Sequence, residues 1–175
     1  MIQILRATRP KQWIKNLLVF AVPLASGDLG TSNAVFKSLC AFITFTVLSA
    51  ATYLINDIRD VAQDQLHPKK KNRPIASGQL SIRRAMLASI ALGVAGISLP
   101  VFFGLWNLFV VLSAYVIMQA AYQLVLKNIA LIDLVVVSSG FVLRAMAGGL
   151  AAGILISPWF ITVTAASAMF IVSGK

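Results

Sequence analysis

Glutamate is absent from this 175-residue chain, and its five acidic residues are all aspartates: Asp28, Asp57, Asp60, Asp64 and Asp133. Charge as a whole is scarce, at 11% of residues against about a quarter in soluble domains. Such a chain cannot cover its own surface in water, which excludes soluble enzymes, disordered tails and nucleic-acid modules. The one cysteine, Cys40, lies in an apolar run, so no internal disulfide can form and the redox compartment is not indicated. No internal repeat, heptad seam or long linker divides the chain, which reads as a single domain over residues 1–175.

Apolar residues are what the chain has in quantity: 59% of the sequence, with a mean hydropathy of +0.87. An uncharged run of about 20 residues crosses a bilayer as a helix. Ser38–Asn56 is such a run, and Ala85–Leu126 holds two, joined near Gly104–Asn107. Asn128–Ile156 is apolar except for Asp133 and Arg144, and Pro158–Gly174 is apolar throughout. The first run, Leu17–Ser26, is short, contains Pro23 and needs Gln12–Asn16 to span. It has the outline of a signal peptide ending at Leu24-Ala25-Ser26, but its basic flank is long and carries Trp13, which favours a retained span. The expected fold class is therefore an all-α polytopic membrane protein of about six transmembrane helices.

The net charge of +10 follows from this layout. With Arg6, Arg9, Lys11 and Lys15 placed in the cytoplasm, threading the spans returns Arg59–Arg84, Lys127 and the C-terminus to the same side, and leaves Asp28 outside. Only Lys37 opposes the scheme. The excess of basic residues thus marks membrane orientation, with no nucleic-acid partner implied. Gly93, Gly96, Gly148, Gly149 and Gly153 fall in apolar helices, where small residues permit close packing.

Three of the five acids sit within eight positions, in Asn56-Asp57-Ile58-Arg59-Asp60-Val61-Ala62-Gln63-Asp64. On a continuous helix Asp57, Asp60 and Asp64 share one face, with Asn56 one turn from Asp60. Three carboxylates and an amide oxygen repel one another unless a cation sits among them. Mg²⁺ binds through one or two carboxylates plus substrate phosphates, so the spacing points to a Mg²⁺–diphosphate site. A solvated helix end, paired with Arg59 and downstream lysines, is the plainer alternative. It fits poorly with a chain that spends almost no acid elsewhere.

Four cations follow within five residues, Lys69, Lys70, Lys71 and Arg73. Cations beside a carboxylate–metal cluster hold a polyphosphate from both sides. A patch attracted to anionic lipid, worth about 1 kcal/mol per charge, is equally open for Lys69 and Lys70; Arg73, fixed before Pro74, points to the site. His67 reads as a loop residue. Asp133 and Arg144 are ionisable groups within a span and are functional candidates on that ground, but about 16 Å of helix separates them. Tyr122 and Lys127 close the preceding span on the aspartate side. Tyr53, a turn before Asn56, reads either as a substrate hydrogen-bond donor or as interfacial packing.

The string Asn56–Asp64, followed by Arg73-Pro74-Ile75-Ala76-Ser77-Gly78, resembles the first aspartate motif of the UbiA superfamily of intramembrane prenyltransferases. Arg9–Asn16, His67–Gly78, Leu126-Lys127 with Ile132-Asp133, and Ser138–Ala145 are most similar to its phosphoribosyl-transferring branch, the decaprenyl-phosphate phosphoribosyltransferases. The resemblance implies a helical bundle around a cavity open to the cytoplasm and sideways to lipid. It implies Mg²⁺-dependent transfer of 5-phosphoribosyl from phosphoribosyl pyrophosphate to a polyprenyl phosphate, for arabinose donors of the cell envelope, in the inner membrane. Carried over, Asn56 and Asp60 are the leading metal ligands with Asp57 and Asp64 in support, and Asp57 and Asp60 are the expected catalytic carboxylates. Lys15, Lys69, Arg73, Lys127 and Arg144 would neutralise phosphates, with Tyr53 and Tyr122 as further substrate-binding candidates. Family members run to about nine helices with a second acidic motif, so six alone would leave part of a polar cavity facing lipid. The expectation is an N-terminal portion whose C-terminal half is missing, as in a truncated frame, a gene fragment or a split pair.

Two rivals remain. One is a UbiA-type aromatic prenyltransferase using a polyprenyl diphosphate. The other is a non-catalytic membrane fragment or scaffold organised around the basic loop. The CDP-alcohol phosphotransferases, which also use intramembrane aspartates, are set aside because their Asp-Gly-x-x-Ala-Arg signature is absent.

Overall fold

A computed structural model describes residues 2–124 and 130–174. Among these residues every regular element is helical. A short helix α1 (Ile2–Ala7) precedes a 3₁₀ helix over Pro10–Phe20, which runs into α2 (Ala21–Ala25). Pro10 opens the 3₁₀ helix, where its missing N–H costs nothing. Eleven residues are a long run for this helix type. At about 2.0 Å per residue, with α2 added at about 1.5 Å, the pair reaches roughly 30 Å, the thickness of a hydrocarbon core. The short first run therefore gains its length from a tighter helix as well as from residues 10–16.

Helix α3 (Ser32–Arg59) starts at Thr31, whose hydroxyl accepts from the Ala34 N–H at 3.3 Å, and continues without glycine or proline. Past Asp60 the short α4 (Val61–Leu66) follows, then a loop with a 3₁₀ turn at Lys70–Asn72. Helices α5 (Ile82–Phe102) and α6 (Trp106–Leu124) are separated by Phe103–Leu105, within a residue or two of the expected joint. Helix α7 (Ala130–Ala152) ends at Gly153, whose φ of 77° closes a left-handed cap with Ile154 N–H donating to Gly149 O at 2.8 Å. Gly153 thus terminates a helix rather than packing within one. Helix α8 (Pro158–Ser173) follows.

Among the described residues four helices are long and apolar enough to cross a membrane: Ser32–Arg59, Ile82–Phe102, Trp106–Leu124 and Ile132–Ala152. The other two expected spans are shorter, the 3₁₀–α2 segment and α8. Helix α3 sits at the centre, packed on α5, α6, α7 and the 3₁₀ helix. The main core joins Val19, Phe45, Leu48, Leu108, Leu112, Tyr115 and Ala147. Close approach is set by glycine: a Cβ on Gly148 would fall 1.9 Å from the Val19 carbonyl oxygen, and one on Gly96 would meet the Leu48 side chain at 2.6 Å. Gly93 has open space around it and makes no such approach. A second cluster, Ala7, Leu54, Ile75, Leu80 and Ala85, pulls the loop after α4 onto the end of α3. That packing places Arg73 beside the aspartates.

Candidate active site

A cavity of about 180 Å³ opens where α3 and α6 end. Lys15 reaches it from the 3₁₀ helix, Thr52, Tyr53 and Asn56 from α3, Gln119, Tyr122 and Gln123 from α6, and Phe141 and Arg144 from α7. Five residues singled out in the sequence, Lys15, Tyr53, Asn56, Tyr122 and Arg144, thus converge on one space. Polar groups in apolar spans face the bundle interior because lipid offers them no partner. Two larger cavities, one at Leu48, Val94, Ile97 and Phe102 and one at Ile4, Trp13 and Leu92, are almost wholly apolar.

Arg144 is 7% exposed. Its Nε donates to Asn16 Oδ1 at 2.8 Å, Nη1 to Gly140 O at 2.7 Å, and Nη2 to Tyr115 OH at 3.0 Å and Ser49 Oγ at 3.4 Å. Its guanidinium carbon also lies 5.0 Å from the Tyr115 ring centroid and 5.6 Å from that of Phe45. A cation is held at the cavity floor by neutral oxygens and two rings, with no carboxylate among these contacts. Its positive field is therefore left for an anion. Asn16 completes the tie, donating through Nδ2 to Thr46 Oγ1 at 3.1 Å.

At the mouth the Tyr122 hydroxyl donates to Asp133 Oδ1 at 2.6 Å, linking α6 to α7. Asp133 is thus the acceptor for a cavity tyrosine, a role more specific than a helix-start charge. Lys15 lies with Nζ 6.0 Å from the Phe141 ring centroid. Lys127 lies outside the described residues. Lys69 is exposed in the loop and is not brought to the cavity. Its backbone N–H, with that of Lys70, donates to His67 Nδ1 at 3.2 and 3.3 Å, so His67 caps a turn as a loop residue.

The aspartates do not lie on one unbroken helix. Helix α3 ends at Arg59, and Asp60, with φ −91° and ψ 7°, forms the joint to α4. Backbone bonds still bridge the joint, Asp60 N–H to Asn56 O at 3.0 Å and Asp64 N–H to Asp60 O at 2.8 Å. Asp57 and Asp64, seven apart, keep a common side and share Arg73, whose Nη1 donates to Asp57 Oδ1 at 3.1 Å and to Asp64 Oδ2 at 2.5 Å. Arg9 donates through Nη2 to the same Asp57 oxygen. Asn56 faces the cavity, and Asp60 lies within electrostatic reach of Tyr122. Among the described residues no three His, Cys, Asp or Glu side chains converge on one point. The oxygen donors are instead divided between a cavity face and an arginine face.

Reading the sequence alone overlooked several of these groups. Arg9 stood only as part of the basic flank and the N-terminal motif, and Tyr115, Gln119 and Gln123, which with the expected Tyr122 form a polar stripe along α6 at i, i+4, i+7 and i+8, are groups that helical spacing could have exposed.

The fold and cavity define an intramembrane helical bundle, several of whose helices cross the bilayer, with a polar pocket at one end. Residues 17–173 match the UbiA prenyltransferase family, and the chain belongs to it. It is 44% identical over 98% of its length to the decaprenyl-phosphate phosphoribosyltransferase of Corynebacterium glutamicum, covering 52% of that protein. It is 43% identical, again over 98% of its length, to that of Mycolicibacterium smegmatis, covering 55% of it. The chain spans about half the length of these curated relatives. Among solved structures, a UbiA homolog from Archaeoglobus fulgidus bound to DMAPP and Mg²⁺ superposes with a TM-score of 0.80 at 20% identity, over 97% of this chain and 61% of that one. At that identity the likeness is one of fold.

Proposed function

We propose that this chain builds the donor half of a transferase that moves 5-phosphoribosyl from phosphoribosyl pyrophosphate to a polyprenyl phosphate in the inner membrane. In the reaction the sugar C1–O bond to pyrophosphate breaks, and a phosphate oxygen of the lipid forms the new bond to C1. The observation that carries the reading is the convergence of Lys15, Arg144, Asn56 and Tyr122 on one cavity beside the Asp57–Asp64 turn. Relatives at 43–44% identity that carry this activity in their names support the donor class.

The oxygen donors suit Mg²⁺: Asn56 lines the cavity, Asp60 stands one helical turn on within electrostatic reach of Tyr122, and Asp57 and Asp64 share the arginine face. When bound there, Mg²⁺ would offset charge developing on the leaving pyrophosphate. The chain's own groups do the rest. Lys15 and Arg144 meet phosphate charge from the walls and floor. Tyr122 spends its one proton on Asp133, so its oxygen is oriented to accept from a substrate hydroxyl. The basic loop at Lys69–Lys71 faces the cytoplasm, where a water-soluble sugar donor would arrive, and the product would feed arabinose-donor synthesis for the cell envelope.

Asp60→Ala separates this reading from a scaffold built on the basic loop. The transferase loses turnover at least a hundredfold with Asp60→Ala and keeps most of it when Lys69, Lys70 and Lys71 are replaced together. Full turnover in Asp60→Ala contradicts the reading.

A further inference from the structure

The aspartate segment has two faces, and the second has a task of its own. Asp57 and Asp64 are each only 2% exposed. The guanidinium-bearing side chains over them are far more open, 27% for Arg9 and 23% for Arg73. The carboxylates thus form a buried layer and the arginines an outer one. Anything approaching this face meets cations first. Both ion pairs of Arg73 run through the single nitrogen Nη1, and a guanidinium carries five N–H donors in a planar fork.

Arg9 is placed with equal care. It comes from the N-terminal segment, donates through Nη2 to Asp57, and has its guanidinium carbon 4.9 Å from the ring centroid of Tyr53, a cavity residue. Its backbone adopts φ 55° and ψ 66°, a left-handed conformation in a residue that is not glycine and that precedes a proline. Two arginines from distant segments are brought together by two buried aspartates, next to a wall of the cavity.

We propose that Arg9 and Arg73 form a phosphate-binding pair for the donor's diphosphate, and that Asp57 and Asp64 are positioning residues that hold this pair. The inference rests on the reading of the cavity as a diphosphate-donor site, and it adds Arg9 to that site. It divides labour along the segment: Asn56 lines the cavity and Asp60 lies within electrostatic reach of Tyr122 there, while Asp57 and Asp64 act through the arginines. Guanidinium suits this work because its fork grips phosphate oxygens in pairs, which an ammonium does not.

The test is binding of inorganic pyrophosphate to the protein in detergent micelles with EDTA present, followed by calorimetry. Without metal, a carboxylate near the site repels pyrophosphate, so Asp57→Asn tightens binding or leaves it unchanged if Asp57 is merely a nearby charge or a metal ligand. If Asp57 positions Arg9 and Arg73, Asp57→Asn weakens binding instead. The expected results are about a tenfold loss for Arg9→Gln, a severalfold loss for Asp57→Asn, and a double variant that loses less than the product of the two single losses. Arg9→Lys keeps the ion pair to Asp57, and with it the fold, and is expected to lose severalfold. Undiminished binding in Arg9→Lys and Asp57→Asn overturns the inference. So does pyrophosphate binding that requires metal in the unaltered protein, which leaves the donor-site reading standing. No binding with or without Mg²⁺ overturns both.

Discussion

Arg144 on α7 and Asn16 on the 3₁₀ helix, 128 residues apart in sequence, are joined by an Nε to Oδ1 hydrogen bond of 2.8 Å in the buried floor of the cavity. Through Ser49 and Tyr115 the same guanidinium reaches α3 and α6, so one side chain ties four elements around the site. Arg144→Ala removes all four hydrogen bonds and leaves Asn16 Oδ1 without its Arg144 donor, although Tyr115 OH keeps the bond from Gln119 Nε2 at 3.1 Å; each buried group left unpaired costs roughly 1–3 kcal/mol. We expect a loss of more than about 3 kcal/mol in total, seen as a marked fall in the unfolding temperature of the detergent-solubilised protein. Arg144→Lys recovers only part of it, because a single ammonium cannot reach acceptors on four sides.

The joint between the 3₁₀ helix and α7 gives a second prediction. Gly148→Ala drives a methyl group to within 1.9 Å of the Val19 carbonyl oxygen, so the two elements must separate. Overpacking of this kind costs about 1–3 kcal/mol, and a clash with backbone belongs at the upper end. Gly93→Ala, where nothing lies within 4 Å, is the control. It is expected to gain up to about 1 kcal/mol from helix propensity. Thermal unfolding of the two variants side by side checks the contrast.

Tyr122 and Asp133 act as a pair at the cavity mouth. Tyr122→Phe removes the donor from the Asp133 carboxylate, and Asp133→Asn removes the charge that orients the hydroxyl. Each is expected to raise the KM for the phosphoribosyl donor severalfold with a smaller change in kcat. The double variant should match the worse single variant, because both break one hydrogen bond. A full double-mutant cycle of initial rates measures this.

Orientation is open to direct labelling. Helix α3 has 28 residues, about 42 Å of rise, enough to put its two ends on opposite sides of a bilayer. Asn33 near its start and Ser77 beyond its end are both exposed. In a Cys40→Ala background, Ser77→Cys should react with an impermeant maleimide only from the cytoplasmic face and Asn33→Cys only from the opposite face. The reverse pattern would invert the proposed topology.

Much of the site could be read from the sequence because a membrane makes polar residues conspicuous. Tyr53, Asn56, Tyr122 and Arg144 stand out in apolar runs, and burial in lipid is costly enough to force them inward. The joint between α5 and α6 was marked by Gly104, and the structure puts it at Phe103–Leu105. The 3₁₀ form of Pro10–Phe20 was not legible: runs of this helix type beyond three or four residues are uncommon, and no residue within the segment announces one. Nor was the joint at Asp60, which has no glycine or proline to announce it. The link from Arg9 to Asp57 spans 48 residues and depends on how the N-terminal segment packs, which no local pattern encodes.

The central claim is tested most directly by product analysis. Membranes carrying the transferase whose donor half this chain builds are supplied with Mg²⁺ and decaprenyl phosphate, together with either phosphoribosyl pyrophosphate or a polyprenyl diphosphate with an aromatic acceptor, and the lipid products are weighed by mass spectrometry. The account predicts a decaprenyl-phosphoryl-phosphoribose product in the first reaction, lost in Asp60→Ala, and no prenylated aromatic in the second. A prenylated aromatic, with no phosphoribosylated lipid, would contradict it and assign the cavity to prenyl transfer.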